Sequence, residues 1–362
     1  MKKYLFVLSV AALGFASCSN DNVIAENNTT GQQPREIAFF PLSQPSTRAA
    51  VQGTAFPTTN TMEVVAYQTN PTPAVNYFAK TTFKKDGSTS VWRAWDASEE
   101  EYVPKYWPLS EAKLNFFAVS GAGVNNADIT INSILDKDDV ADVKYAKAGA
   151  TGTYTNATQS DIMYAFGRGY VTQSGNALYF NREDAGADVP VDMVFKHTMS
   201  LIKFQVKAAD DASTGITINS IKLNGASYKG ALKLTSDATI TANTGIPAIT
   251  PTWTPDTPEN DVTVPHMSGA LTTTYAPADG GAEGTWASLI VVPNATKGFE
   301  SFTVNYTFDG HTYDYTYTPS PVVPVAAGNV YIYKLNFQLH EITITPSVTA
   351  WATGSDNVLN IP

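Results

Sequence analysis

Short apolar runs and period-two alternation, broken by turn residues, recur along the chain. In Ile202-Lys203-Phe204-Gln205-Val206 the Ile, Phe and Val share one parity, and in Val304-Asn305-Tyr306-Thr307-Phe308 the Val, Tyr and Phe do. Successive side chains on a strand point to opposite faces, so each stretch reads as a half-buried β-strand. Similar runs fall at Ile37 to Phe40, Met62 to Tyr67, Leu114 to Val119, Leu178 to Phe180, Val191 to Phe195 and Ile216 to Leu223. Others are Ser288 to Val292, Tyr313 to Tyr317, Val330 to Leu339 and Ile342 to Val348. The clearest hairpin runs from Phe302 to Tyr317, where Asp309-Gly310 supplies the positive φ angles of a type I′ turn. Lys85-Asp86-Gly87-Ser88 marks a second. No segment sustains a helical stripe; Ile134 to Lys147 comes nearest. The pattern predicts an all-β fold of many short strands. Gly121 to Gln159, and Ala238 to Gly284 with its prolines 247, 251, 255, 258 and 265, read as long loops. A boundary is expected near residue 190, after the acidic stretch Glu183 to Pro190.

Composition adds size and solvent. The 362 residues suffice for two medium domains. Apolar residues make up 43% and aromatics 11%, enough for true cores, while only 15% are charged. Thr and Tyr suit a pleated surface, and Gly, Pro and Asn punctuate it. The net charge of −10, with no basic stripe, argues against a nucleic-acid partner.

Residues 1–17 read as an address. Lys2 and Lys3 precede an apolar run from Tyr4 to Phe15, then Ala16 and Ser17 stand before Cys18. The run is shorter than the ~20 residues a membrane-spanning helix needs. Cys18 is the chain's only cysteine, so no intramolecular disulfide forms. Phe15-Ala16-Ser17-Cys18 resembles a lipobox, with Phe15 in place of the usual Leu. Several acyl chains on Cys18 would anchor the protein stably. The polar, Asn-rich stretch from Ser19 to Pro34 reads as a tether.

Motifs for chemistry are sparse. His197, His266, His311 and His340 lie far apart in sequence and read as surface or strand residues. Neither a Gly-x-Ser-x-Gly elbow nor a Walker-type loop is present. Asp136-Lys137-Asp138-Asp139, Glu99-Glu100-Glu101 and Asp279-Gly280-Gly281 read as solvated loops, without the ligand spacing of a calcium hand. Trp92, Trp95, Trp107, Trp253, Trp286 and Trp351 read as packing residues first and sugar-stacking residues second. No cofactor is expected.

Four places together resemble the Bacteroidales fimbrillins, the subunits of type V pili. They are the lipobox with its spacer; Ser46-Thr47-Arg48-Ala49-Ala50 after the strand-like Ile37 to Phe40; Val103-Pro104-Lys105-Tyr106-Trp107-Pro108-Leu109 followed by Leu114 to Ala118; and Phe195 to Phe204 together with the extended tail from Val330. The resemblance implies two tandem transthyretin-like, Greek-key β-sandwiches with an extended C-terminal strand. It implies a lipoprotein precursor on the outer membrane that becomes part of a cell-surface fimbrium serving adhesion. An Arg-specific protease would cut after Arg48, before Ala49, and discard Ile37 to Leu42; Arg35 is the competing site. The opened groove would take the C-terminal extension of another fimbrillin subunit. Residues 1–17 would be the signal peptide, 18–48 the propeptide, 49–190 the N-terminal sandwich and 191–362 the C-terminal one with its tail. Ile342, Ile344 and Val348, then Val358, Leu359 and Ile361, would carry the donor strand. Tyr331 to Val348 also fits the last strand of its own sandwich. A pilus anchor that keeps its lipid, and a surface glycan-binding lipoprotein, are the competing readings.

Overall fold

Alternation in the sequence becomes alternation in space. The computed structural model describes residues 34–46, 53–56, 61–70, 75–87, 89–121, 129–133, 141–146, 161–175, 177–180, 190–209, 215–236, 248–256, 262–264, 271–277, 289–338, 342–350 and 359–360. Along the chain run β1 (Phe39–Ser46), β2 (Gly53–Ala55), β3 (Thr61–Asn70), β4 (Val75–Lys85), β5 (Trp92–Asp96), β6 (Glu101–Tyr102), β7 (Ala112–Gly121) and β8 (Ile129–Ser133). Next come β9 (Ala141–Ala146), β10 (Met163–Ser174), β11 (Ala177–Phe180), β12 (Val191–His197), β13 (Ser200–Ala208), β14 (Thr217–Asn224), β15 (Lys229–Ser236) and β16 (Ile249–Pro255). Last are β17 (Val262–Val264), β18 (Ala276–Pro277), β19 (Leu289–Val291), β20 (Ser301–Phe308), β21 (His311–Tyr317), β22 (Asn329–Phe337), β23 (Ile342–Ala350) and β24 (Leu359–Asn360). The described residues contain no helix, so the protein is all-β.

The first sheet runs β2-β1-β12-β10-β7-β3-β4-β5-β6, with β11 on β10. Because Phe39 of β1 also pairs with Trp92 of β5, the sheet curls round and meets itself. Its enclosed core includes Ile37, Phe39, Met62, Val64, Phe83, Trp92, Leu114, Phe116, Met193 and Phe195. β12 alternates strictly: Val191, Met193, Phe195 and His197 are buried, while Asp192, Val194 and Lys196 are exposed. The centre of β7 is buried on both faces. Leu114, Phe116 and Ala118 look into the first core, and Phe117 and Val119 look outward into another, between the halves of the chain. That double burial explains its unbroken apolar run.

The second half holds a six-stranded sheet, β18-β13-β22-β23-β24 with β19 on β13, and a four-stranded sheet, β17-β14-β20-β21. Their inner faces share a core in which Phe204 meets Phe302 at 5.0 Å and Phe302 meets Tyr333 at 5.3 Å. The β20–β21 hairpin closes Phe308 on His311, with φ of 49° at Asp309 and 73° at Gly310, as the Asp-Gly pair predicts. Near Gly87 the outcome is looser. β4 and β5 do pair, but Lys85 faces Trp92 across the longer connection 86–91.

Both regions read as long loops contribute strands. β8 and β9 from the first join β15 and β16 in a four-stranded sheet ordered β16-β15-β9-β8. Pro251 and Pro255 had suggested a loop, yet β16 is an edge strand, where a missing N–H is tolerated. Residues 141–146, within the stretch nearest to a helix, form β9 and pair with β15. A third core lies between the halves: Val65, Tyr67, Phe117, Val119, Ile162 and Tyr164 meet Met199, Leu201, Leu232, Leu234, Ile290, Val292 and Val330. Residues 191–197 stay with the first sheet and Ser200 opens β13 of the six-stranded sheet, so the chain changes sheets between His197 and Ser200. The inward parity of Val191, Met193 and Phe195 is what binds them there.

Candidate functional site: the seat of the first strand

β1 sits between partners from distant parts of the chain. On one side it runs parallel to β12, from Phe39↔Val191 to Ser43↔Phe195. On the other it meets Trp92 of β5 and pairs antiparallel with β2 at Leu42↔Ala55 and Ser46↔Gly53. The residues just before it are clamped too. Ile37 N–H donates to the Lys105 carbonyl at 2.7 Å, and Trp107 N–H donates to the Arg35 carbonyl at 2.9 Å. Thus Val103 to Leu109, singled out by sequence, forms the wall against which the chain enters β1.

The side chains of this segment complete the core. Ile37 and Phe39 are 0% exposed. The Phe39 ring meets Phe83 edge-on at 4.8 Å and Phe116 at 5.0 Å, the geometry that ring quadrupoles favour. Phe56, just past β2, packs on Phe195 at 4.6 Å and Trp92 at 5.6 Å. Outside this core stands one charge cluster. Arg93 donates through Nε to both Glu36 oxygens at 2.9 Å, and through Nη2 to Oε2 at 2.5 Å. Its Nη1 reaches Asp86 at 3.2 Å. Hydrogen bonding from Glu36 is the main cause that holds this guanidinium charged well above its ordinary range, against a partial desolvation. Arg93 stands 57 positions after Glu36, so nothing local in the sequence announces the pair.

The tail lies on the far sheet. β23 pairs antiparallel with β22 from Phe337↔Ile342 to Asn329↔Ala350. Ile342 is buried, and Ile344 and Val348 are half-buried against the second-half core. Leu359 faces Val348 in the short β23–β24 pairing. Cys18, Arg48, Ala49, Val358 and Ile361 lie outside the described residues, as do His266, His340, Trp286, Trp351 and the two aspartate-bearing stretches at 136–139 and 279–281.

The remaining candidates for chemistry fall into place as packing or joints. Trp92 and Trp107 are buried in the first core. Trp253 packs on the third core and donates its indole N–H to the Thr198 carbonyl at 2.6 Å. Trp95 is half-buried beside Tyr102 at 4.9 Å and under the Lys84 ammonium at 4.0 Å. Among the described residues no three His, Cys, Asp or Glu side chains gather to hold a metal. His311 is exposed. His197 departs from the expectation of an ordinary strand residue. Its Nδ1 lies 2.6 Å from Asp161 Oδ2, both side chains almost wholly buried, at the point where the chain changes sheets. The partner is 36 residues upstream, beyond the reach of local pattern reading.

Comparison with known proteins agrees with this architecture. Across 90% of this chain and 100% of its own length, a proposed cell adhesion protein from Bacteroides ovatus superposes with a TM-score of 0.50 at 15% identity. A fimbrial protein from Bacteroides vulgatus covers 87% of this chain and 99% of itself, with TM-score 0.46 and 15% identity. The tip fimbrial protein Mfa3 from Porphyromonas gingivalis covers 87% and 100%, with TM-score 0.37 and 11% identity. No curated protein sequence matches the chain. The Bacteroides ovatus protein thus shares the fold of this chain. The sequence itself matches the Fimbrillin-like family over residues 47–351, most of its length, and the chain belongs to that family.

Proposed function

We propose that this chain is a structural subunit, stalk or tip, of a cell-surface pilus that serves adhesion. It is exported as a lipoprotein acylated on Cys18, cut after Arg48, and polymerised when the tail of another subunit fills the seat of β1. The observation that carries this reading is the seating of β1 itself. Ile37 and Phe39 are buried in the core, and in sequence the chain passes from β1 to β2 through residues 47–52, which include Arg48. One cut there makes residues up to Arg48 a separate peptide, held by pairing and burial alone. Losing Ile37 and Phe39 would expose Phe83, Phe116 and Trp92, and refilling the seat would recover ~1.5–3 kcal/mol for each large apolar side chain. A strand added there gains main-chain hydrogen bonds from β12 and pockets for alternate side chains. Family membership supports the reading, and the family match opens at residue 47, directly after β1.

The test is proteolysis of the purified precursor with an Arg-specific protease, mass spectrometry of the new N-terminus, and a non-boiled gel. The expected result is a chain starting at Ala49 and a ladder of heat-sensitive multimers, which removing the tail from Glu341 onward abolishes. A surface form that keeps acylated Cys18 and stays monomeric would refute it, in favour of an anchor or a glycan-binding lipoprotein.

A further inference from the structure

The dipeptide Glu-Ile occurs twice in this chain, and both copies open the same pattern. Glu36-Ile37-Ala38-Phe39-Phe40-Pro41 enters β1, and Glu341-Ile342-Thr343-Ile344-Thr345-Pro346 enters β23. Each reads Glu-Ile-x-apolar-x-Pro. The faces agree as well: Ile37 and Phe39 point into the first core, Ile342 and Ile344 into the second-half core. Phe40 is half-buried and Thr345 exposed on the opposite parity.

We propose that β23 of a second copy enters the emptied seat of β1 in one register, with Glu341 on Arg93, Ile342 in place of Ile37, Ile344 in place of Phe39 and Pro346 in place of Pro41. This rests on the strand-exchange reading above and adds to it the register and the residue that sets it. When residues up to Arg48 depart, Glu36 goes with them. Arg93 keeps Asp86 at 3.2 Å and loses the carboxylate that occupied two faces of its fork. A guanidinium does not discharge, and a carboxylate at the same offset rebuilds the bidentate pair. Apolar pockets alone discriminate poorly between registers two residues apart, because such a slip preserves the inward face. The Arg93 cation breaks that degeneracy. β23 is suited to leave home. Among the described residues it is the last full-length strand at its edge, beside the two-residue β24, so its departure leaves β13 and β22 paired.

The register is read by cross-linking in the full chain carrying Cys18→Ser. In β1, Phe40 faces the exposed Asp192 and Leu42 faces the exposed Val194. Combining Thr345→Cys with Asp192→Cys should give a disulfide-linked ladder after protease treatment and mild oxidation; combining Thr345→Cys with Val194→Cys should not. Glu341→Gln should slow ladder growth about two- to fivefold, Arg93→Gln should do the same, and the two together should cost no more than either alone. Cross-linking through Val194 instead, or a non-covalent ladder that never cross-links through Asp192, would overturn the register while leaving strand exchange standing. No heat-sensitive ladder from the parent chain would sink strand exchange and the register together.

Discussion

Truncating Phe39 to alanine should destabilise the uncut chain and leave the cut chain untouched. Phe39 is 0% exposed and packs edge-on against Phe83 and Phe116. Removing a buried phenyl loses its transfer free energy and leaves a cavity, together about 3–5 kcal/mol. The loss is at the upper end where the surroundings cannot collapse, and here β12 and β5 hold the seat open from both sides. With a urea m-value of about 2–3 kcal/mol/M, the unfolding midpoint should fall by ~1–2.5 M. Tryptophan fluorescence is a suitable probe, because Trp92 pairs with Phe39 and Trp107 lies 5.9 Å from Phe116. After cleavage at Arg48 and removal of the released peptide, parent and variant have the same sequence and should unfold identically. A midpoint shift below about 0.3 M in the uncut chain would refute the reasoning, since it would mean β1 contributes little to the core. So would a difference persisting after the cut, since β1 would then have stayed.

Three further outcomes are expected. His197→Ala should cost ~3–5 kcal/mol in chemical denaturation, because it strands the wholly buried Asp161 carboxylate. Gly169→Ala should cost about 1–3 kcal/mol and alter the fluorescence of Trp107, whose ring would stand 2.2 Å from the new methyl group. Tyr333→Phe should be neutral or stabilising by up to ~1–2 kcal/mol, because the Tyr333 hydroxyl is buried with no hydrogen-bond partner among the described residues. Burial pushes the Tyr333 phenol up. The folded state therefore holds that proton more tightly than the unfolded one. Its contribution is complete below the ordinary phenol value of about 10 and fades as pH rises beyond it. Unfolding midpoints measured from pH 8 to 11 should fall more steeply for the parent than for Tyr333→Phe.

Strand identity was legible in several segments where one face meets a core and the other meets water. Val191 to Phe195 and the Asp309-Gly310 hairpin are such cases, because period-two alternation and turn chemistry are local properties. The sheet of β8, β9, β15 and β16 was not legible. Its outer strand carries Pro251 and Pro255, residues whose turn preference is satisfied equally well on an edge. Pairings between β9 and β15 span more than 80 residues of sequence, and no window of pattern reading reaches that far. The same applies to the charge pairs. Arg93 and His197 gain their partners only through the closure of the first sheet and the joint between halves. The sequence read Ile37 to Phe40 as a strand, but its neighbours β12, β5 and β2 came from topology.

The third core has a mechanical meaning. Phe117 and Val119 are shared property: their backbone belongs to the first sheet, while their side chains lie with Leu201, Leu232, Ile290 and Val330 of the second half. β9 and β15 add a hydrogen-bonded ladder across the same divide. Two beads on a string would flex at the string. This molecule has its string buried, so bending one half against the other would mean exposing apolar surface and shearing a ladder at once. In a file of such units, compliance would gather at the contacts between copies, and the persistence of the file would be set by how firmly each joint is filled.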